Sequence, residues 1–296
     1  MKYALHYYRG CRIQSKVDEI IIKYFERDGE LIHFAQSLPK KQRLIINVTG
    51  LEFTSLEDKA DNIKIFHATF KVKHNIAFLV SYEQKSLWAE LDDYEIPYFF
   101  IEPARNLTSF EQITNYHVSD IYITDELGFY LSAISPKCKK LGIQIRVFPN
   151  VCQAEASVKS TNDIVSFFIR PEDTYIYENY VDVFEFYGPL DKQPVLYEIY
   201  KSRVWNGQLE DLILGMHSPV RNTTLIPGIG NWRVCCKRRC AYDDSCHICN
   251  TILIDLAQTL EEKGIEIYSQ RIENEELQIN EKFMSDDTAS TSEDAV

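Results

Sequence analysis

Asn75-Ile-Ala-Phe-Leu-Val-Ser-Tyr82 is a nearly unbroken apolar run, and a polar interval separates it from a second one, Pro97-Tyr-Phe-Phe-Ile-Glu102. Strands with one solvated face alternate apolar and polar residues, whereas strands of a parallel sheet that is covered on both faces are apolar throughout. The two runs therefore predict parallel β-strands joined by a crossover. This unit decides the fold class, because the pattern recurs along most of the chain.

Six further runs of the same kind flank this pair. They are rich in Ile, Val, Phe and Tyr and cover Glu19–Phe25, Arg43–Thr49, Asp120–Asp125, Ile143–Pro149, Ile164–Arg170 and Val181–Tyr187. Eight βα units in right-handed series close naturally into a (β/α)8 barrel. An open doubly wound sheet would more often carry a glycine-rich phosphate turn after its first strand, and the sequence has none. We therefore predict an α/β fold, a TIM-like barrel over residues 1–217.

Other segments of the barrel region are predicted from weaker signals. Lys2–Tyr8 is predicted to be an extra strand that caps the barrel bottom, and Asn62–Ala68 to be either a ninth strand or a substitute for one of the eight. Ser109 is predicted to cap a helix and Pro171 to begin one, since these residue types favour helix starts. Gln193–Met216 is predicted to form two helices.

The composition is that of a soluble globular protein. Hydrophobic residues make up 45% of the 296 residues, with a mean hydropathy of −0.26, and no apolar run approaches the ~18 residues that span a bilayer. The start, Met1–Tyr8, lacks the charged leader and cleavage site of a secretory signal. We expect a cytoplasmic protein without a membrane segment, in which clustered cysteines serve as metal ligands or redox thiols rather than as disulfides.

The net charge of −12 lies largely at the C-terminal end of the sequence. Residues 270–296 are polar and acidic and are predicted to form a disordered tail. An acidic chain lacks the basic stripe on which general nucleic-acid binding depends.

Five of the eight cysteines fall in Cys235–Cys249, inside a segment, residues 218–269, that we predict to be a metal-binding extension packed on the barrel. A Cys-x2-Cys pair directs both thiolates to one side of a turn, and a Cys-x3-Cys pair precedes it. The predicted ligands are Cys236, Cys240, Cys246 and Cys249. Four thiolates suit an iron–sulfur cluster or a structural zinc ion, and spacing alone does not separate the two.

Basic residues flank the cysteines in the sequence and are predicted to attract phosphate groups. They are predicted to steer a small-molecule or RNA substrate, with a protein partner as the alternative. These residues are Arg221, Arg233, Lys237, Arg238 and Arg239.

Polar residues at the predicted C-terminal strand ends are the candidate pocket, because active sites of TIM barrels lie there. Glu102 paired with Arg105 or Arg170 would bind a carboxylate-bearing ligand or tune a general acid. The alternative is that these groups only solvate the rim. His6 and the other histidines form no pair at ligand spacing and are predicted to be packing or surface residues. The predicted catalytic residues are Glu102, Asp125, Asn150, Arg170 and Glu185.

Several stretches between residues 95 and 250 resemble the collagenase-like peptidase family. They are Ile123–Phe129, Lys139–Ile143, Arg146–Gln153, Phe168–Asp173 and Tyr177–Gly188. That family includes iron–sulfur proteins that hydroxylate RNA bases or ubiquinone precursors with prephenate as the oxygen source. The resemblance implies a barrel with a four-cysteine iron–sulfur cluster, although this chain departs from the family in compressing its cysteines into one late run.

Three functions follow from these observations. The first is an iron–sulfur-dependent hydroxylase or a related modifying enzyme. The second is a non-catalytic barrel whose structural zinc makes it a binding or assembly module. The third is a peptidase-type hydrolase, which the family's name alone suggests, since the sequence shows no nucleophile motif or catalytic metal triad.

Overall fold

A computed structural model of the chain describes residues 1–7, 17–24, 28–39, 42–49, 56–124, 127, 130–150 and 169–212. The predicted extension at residues 218–269 and the predicted tail at residues 270–296 lie outside these ranges. The described part contains eight strands, namely β1 (Lys2–His6), β2 (Glu19–Lys23), β3 (Arg43–Asn47), β4 (Asn75–Val80), β5 (Tyr98–Phe100), β6 (Asp120–Tyr122), β7 (Gln144–Val147) and β8 (Val183–Glu185).

All eight strands belong to one parallel sheet that curls into a barrel. Their order is β5-β4-β3-β2-β1-β8-β7-β6, and every neighbouring pair is parallel. The two ends of the sheet meet through backbone hydrogen bonds, since Ser119 N donates to Tyr98 O at 2.8 Å and Ala104 N donates to Tyr122 O at 2.8 Å. The chain therefore folds as a (β/α)8 TIM barrel, which confirms the predicted fold class.

Helices alternate with the strands and cover the outside of the barrel. They are α1 (Asp28–Ser37), α2 (Leu56–Phe70), α3 (Lys85–Asp93), α4 (Leu107–Thr114), α5 (Leu131–Leu141), a 3-10 turn (Pro171–Asp173), α6 (Thr174–Tyr177), α7 (Gln193–Ser202) and α8 (Leu209–Leu212). The helices bury apolar side chains against the barrel; Leu87 and Leu91 of α3 are examples. None of the helices in the described part combines the length and apolar character of a membrane-spanning segment.

The role predicted for Lys2–Tyr8 was wrong, because β1 is a full member of the barrel. It pairs with β2 on one side and with β8 on the other, and Ala4 is completely buried between them. The run looked peripheral in the sequence because Lys2 and His6 interrupt its apolar character. A barrel interior can accept such residues when they find polar partners, as His6 does here.

The strand predicted at Ile164–Arg170 has no counterpart in the described part of the sheet, where β7 pairs directly with β8. Ile169 and Arg170 have no strand structure, and the rest of that run lies outside the described residues. Asn62–Ala68 is helical and belongs to α2. Ile63 and Phe66 of this segment and Phe70 just after it are buried at helical spacing, so the apolar period is that of a helix.

The start of α4 differs by a few residues from the prediction. Asn106 is the N-cap: its side chain accepts a hydrogen bond from Ser109 N at 2.8 Å, and Ser109 Oγ accepts one from Asn106 N at 3.0 Å. Ser109 thus closes a capping box from inside the helix rather than capping it alone.

We expect Asn106→Ala to lower the free energy of unfolding by about 1 kcal/mol, because Ser109 N at the start of α4 loses its acceptor. Thr108→Ala, on the exposed surface of the same helix, is the matched control and is expected to change stability by less than about 0.5 kcal/mol. Urea unfolding of both variants provides the measurement. Equal stabilities for the two variants would contradict the assignment of the cap.

Candidate functional site

Five charged side chains from five strands lie inside the barrel, and we call them the interior network. All are buried, with at most 5% of their surface exposed, although charged groups are seldom buried without partners. The members of the interior network are Glu19 of β2, Arg43 of β3, Asp120 of β6, Arg146 of β7 and Glu185 of β8.

Arg146 is the centre of the interior network. Its Nη1 lies 2.6 Å from Glu19 Oε2 and 2.9 Å from Asp120 Oδ1, while its Nε and Nη2 lie 3.1 and 3.0 Å from Glu185 Oε2. These partners stand on β2, β6 and β8, so the guanidinium crosses the interior of the barrel. Burial opposes the charge of Arg146, but attraction to Glu19 and Glu185 raises the pKa of Arg146 well above its ordinary value.

A second pair occupies the end of the barrel where the strands begin. Arg43 donates two hydrogen bonds to Asp120, from Nη1 to Oδ1 at 2.7 Å and from Nη2 to Oδ2 at 2.5 Å. Burial alone would raise the pKa of Asp120, but the guanidinium of Arg43, with that of Arg146, outweighs it and lowers the pKa of Asp120 to about 2. Bidentate geometry of this kind makes the pair both strong and directional.

Glu185 extends the interior network to the opposite end of the barrel. The strands finish at this end, which we call the barrel mouth. The Oε2 atom of Glu185 accepts a hydrogen bond from Tyr122 at 2.7 Å, and its Oε1 lies 2.9 Å from Nε2 of His6, the last residue of β1. Burial raises the pKa of Glu185, yet Arg146 and His6 together bring it below its ordinary value. Whereas the pKa of Glu185 is lowered, the pKa of the Tyr122 phenol is raised well above its ordinary value, by burial and by the charge of Glu185.

Two of the predicted catalytic residues brace the rim of the mouth. Glu102 accepts hydrogen bonds from Ser81 Oγ at 2.5 Å and from Tyr82 N at 3.2 Å, which joins the end of β5 to the end of β4. Asn150 donates to Tyr187 O at 2.7 Å and accepts from Tyr187 N at 3.1 Å, which joins the end of β7 to that of β8. Both side chains hold neighbouring strand ends together.

The other predicted residues have separate surroundings. Arg170 is buried and forms an ion pair with Asp173 at 2.7 Å, and Asp125 lies outside the described residues. The predicted pairing of Glu102 with Arg105 or Arg170 is not formed, since within the described ranges neither arginine makes a salt bridge to Glu102. Of the five predicted residues, Glu185 is the one that the structure brings into the interior network.

The predicted metal ligands Cys236, Cys240, Cys246 and Cys249 lie outside the described residues. So do the basic residues predicted to attract phosphate. In the ranges that are described, no group of three or more His, Cys, Asp or Glu side chains is arranged to hold a metal ion. Cys138, by contrast, is a free thiol on the buried face of α5, and burial together with the nearby charge of Asp182 raises its pKa to about 12.

Most members of the interior network were not predicted from the sequence, although the sequence contains a signal for them. Arg146 interrupts the apolar run Ile143–Pro149, and Glu19, Arg43 and Asp120 each begin such a run. A charged residue within a strand that is covered on both faces has to find a buried partner. The runs therefore indicated buried ion pairs, but they did not indicate which residues would pair.

Comparison with known proteins gives no family for the chain. No protein-family model matches it, and no curated protein matches it. Among solved structures, it is similar to the EAL domain of FimX from Xanthomonas citri, crystallised in complex with c-diGMP, with 13% sequence identity and a TM-score of 0.33. The match covers 53% of this chain and 63% of that one.

We expect Arg146→Met to lower the free energy of unfolding by about 3–5 kcal/mol, because it leaves Glu185 and Glu19 buried without their guanidinium. Arg146→Lys keeps the charge but loses the forked geometry of the guanidinium, so it should lower the free energy of unfolding by less than Arg146→Met does. The control Arg105→Met alters an exposed arginine and should change stability by less than about 0.5 kcal/mol. Chemical denaturation gives these values, and a tolerated Arg146→Met would contradict the network.

The pKa of Asp120 predicts how acid affects stability. Since the folded chain keeps this carboxylate ionised down to about pH 2, while the unfolded chain protonates it near pH 4, the unfolded state binds more protons between these values. Stability is therefore lost as the pH falls from about 4 to about 2, by about 2 kcal/mol from this group. Asp120→Asn should show a shallower decline in denaturation measured over that range, and an unchanged slope would argue against the Asp120–Arg43 pair.

Proposed function

We propose that this TIM-barrel protein is an iron–sulfur-dependent hydroxylase or a related modifying enzyme. In this proposal, Cys236, Cys240, Cys246 and Cys249 hold the cluster, and the substrate is a small molecule or an RNA that binds at the barrel mouth. The observation that carries the proposal is the cysteine run, because two closely spaced cysteine pairs in one segment are typical of a metal-binding site. The resemblance to the collagenase-like peptidase family supports iron and sulfide over zinc.

The donor set fits the proposed cofactor. Four thiolates are the ligands that cubane and rhombic iron–sulfur clusters take, and when bound such a cluster supplies electron transfer. The arginine and lysine side chains between the cysteines, such as Lys237 and Arg239, carry positive charge that would attract a phosphate-bearing substrate.

The barrel supports an enzymatic site through the position of Glu185. This carboxylate is ionised, is held by Arg146 and Tyr122 and contacts a partly exposed histidine at the mouth. A fixed carboxylate hydrogen-bonded to an imidazole at the C-terminal strand ends favours a site for proton transfer.

A second function is favoured by one group of contacts. Glu102 and Asn150 join neighbouring strand ends, and Arg170 is engaged in an ion pair with Asp173 of its own segment. A barrel whose rim side chains are used in this way suits a binding or assembly module, in which the same four cysteines would hold a structural zinc ion.

Metal and acid-labile sulfide analysis of anaerobically purified protein separates these functions. We expect a brown protein that contains iron and sulfide in equal amounts and absorbs in the thiolate-to-iron charge-transfer region. A colourless protein with one zinc ion per chain would overturn the redox function and favour the binding module.

We expect Cys246→Ser to abolish iron binding, because one of the four thiolates is lost. Cys138→Ala is the matched control: it removes a buried thiol that lies in α5, and the iron content should stay at the wild-type value. Circular dichroism verifies that both variants retain the barrel. Loss of iron in both variants, or in neither, would contradict the assignment of the ligands.

A further inference from the structure

His6 is the point at which the interior network meets solvent at the mouth. It is the last residue of β1, and 23% of its side chain is exposed, compared with 1% for its partner Glu185. The sequence predicts a packing or surface role for this lone histidine. Its position at a C-terminal strand end, in contact with a buried carboxylate, is instead that of a reactive group in a TIM barrel.

The hydrogen bond to Glu185 decides which nitrogen of the ring is available. An ionised carboxylate only accepts hydrogen bonds, so Nε2, at 2.9 Å from Oε1, carries the hydrogen. In the neutral ring, Nδ1 then keeps its lone pair. The hydrogen bonds of His6 within the described residues use Nε2 and the backbone N, which leaves Nδ1 for a ligand at the mouth.

Contacts from three elements keep this geometry in place. Tyr122 of β6 and Arg146 of β7 hold the second oxygen of Glu185, at 2.7 and 3.0 Å. Gln193 of α7 accepts a hydrogen bond from the backbone N of His6 at 2.8 Å. A histidine whose second nitrogen is fixed by a carboxylate is held in one tautomer and one orientation.

We propose that His6 transfers protons to and from the substrate at the barrel mouth and that Glu185 positions it; this rests on the proposed enzymatic function. Nδ1 takes the proton of an O–H or N–H group of the substrate, and the electron pair of the broken bond remains on the substrate oxygen or nitrogen. The ring becomes an imidazolium that still donates Nε2–H to Glu185. Return of the proton to the product restores the neutral ring.

The chain contains a natural comparison for this pair. His117 Nδ1 lies 3.0 Å from Asp92 Oδ1, but the imidazole is 88% exposed and the pair stands on the outer surface. Water competes for both groups there, so an exposed ion pair orients its members weakly. A third histidine, His74, is buried and provides the unreactive reference.

The first test reads the tautomer of His6 in the full-length wild-type protein. Long-range ¹H–¹⁵N spectra of chain labelled with ¹⁵N-histidine at pH 8 are expected to show hydrogen on Nε2 and none on Nδ1, with the signal assigned by its loss in His6→Gln. A hydrogen on Nδ1 would overturn the proposal. Because this measurement uses the wild-type chain, it is decisive even if variants of Glu185 fail to fold.

The second test measures reactivity with diethyl pyrocarbonate at pH 8, followed by peptide mapping. We expect His6 to be acylated, Glu185→Gln to slow that reaction roughly tenfold because the positioning carboxylate is lost, and Asp92→Asn to leave the rate of His117 nearly unchanged. If His6 is as unreactive as His74, or if Glu185→Gln has no effect on a folded protein, the proposal fails.

These outcomes are independent of the metal. A colourless protein in which His6 has the expected tautomer and reactivity would overturn the cluster and leave the proton-transfer residue standing. A brown protein in which His6 is unreactive would overturn the present proposal and leave the cluster standing.

Discussion

The ion pairs of Arg146 are the constraint on which the rest of the barrel depends. Its guanidinium binds carboxylates of β2, β6 and β8, with Nη1 2.6 Å from Glu19. Removing a carboxylate or a guanidinium from water costs several kcal/mol, and this cost is offset only when geometry and hydrogen bonding are good. Closure in another register would leave buried charges unpaired. The interior network therefore favours one register of the sheet over the alternatives.

The same contacts link the two ends of the barrel. Asp120 and Arg43 stand where the strands begin, Arg146 lies between, and Glu185 reaches the mouth, where it meets His6. Barrel interiors are usually filled by layers of branched apolar side chains. Here the interior network places the carboxylate of Glu185 at the mouth, and that carboxylate orients the imidazole of His6. The contacts that stabilise the barrel thus also supply the geometry on which the proposed proton transfer depends.

The apolar runs were sufficient to predict a barrel, but not to decide which runs form it. The run Ile164–Arg170 is as apolar as the strands of the described sheet but supplies none of them, whereas β1 is less apolar because it contains Lys2 and His6. The site was harder to predict because partners of buried charges depend on strand order and closure, which no local pattern encodes. Residues such as Glu102 and Asn150 were assigned to the correct end of the barrel. Their bracing contacts depend on which strands are neighbours.

A double-mutant cycle between Arg146 and Glu19 tests the central claim most directly. These residues stand on β7 and β2, which β8 and β1 separate in the sheet, so they can interact only if the guanidinium crosses the barrel interior. Free energies of unfolding are measured for Arg146→Met, Glu19→Gln and the double variant. The network predicts that the effects of the two substitutions on the free energy of unfolding depart from additivity by more than about 1 kcal/mol, as for residues in direct contact. Effects that add within about 0.5 kcal/mol, the behaviour of independent sites, would contradict it.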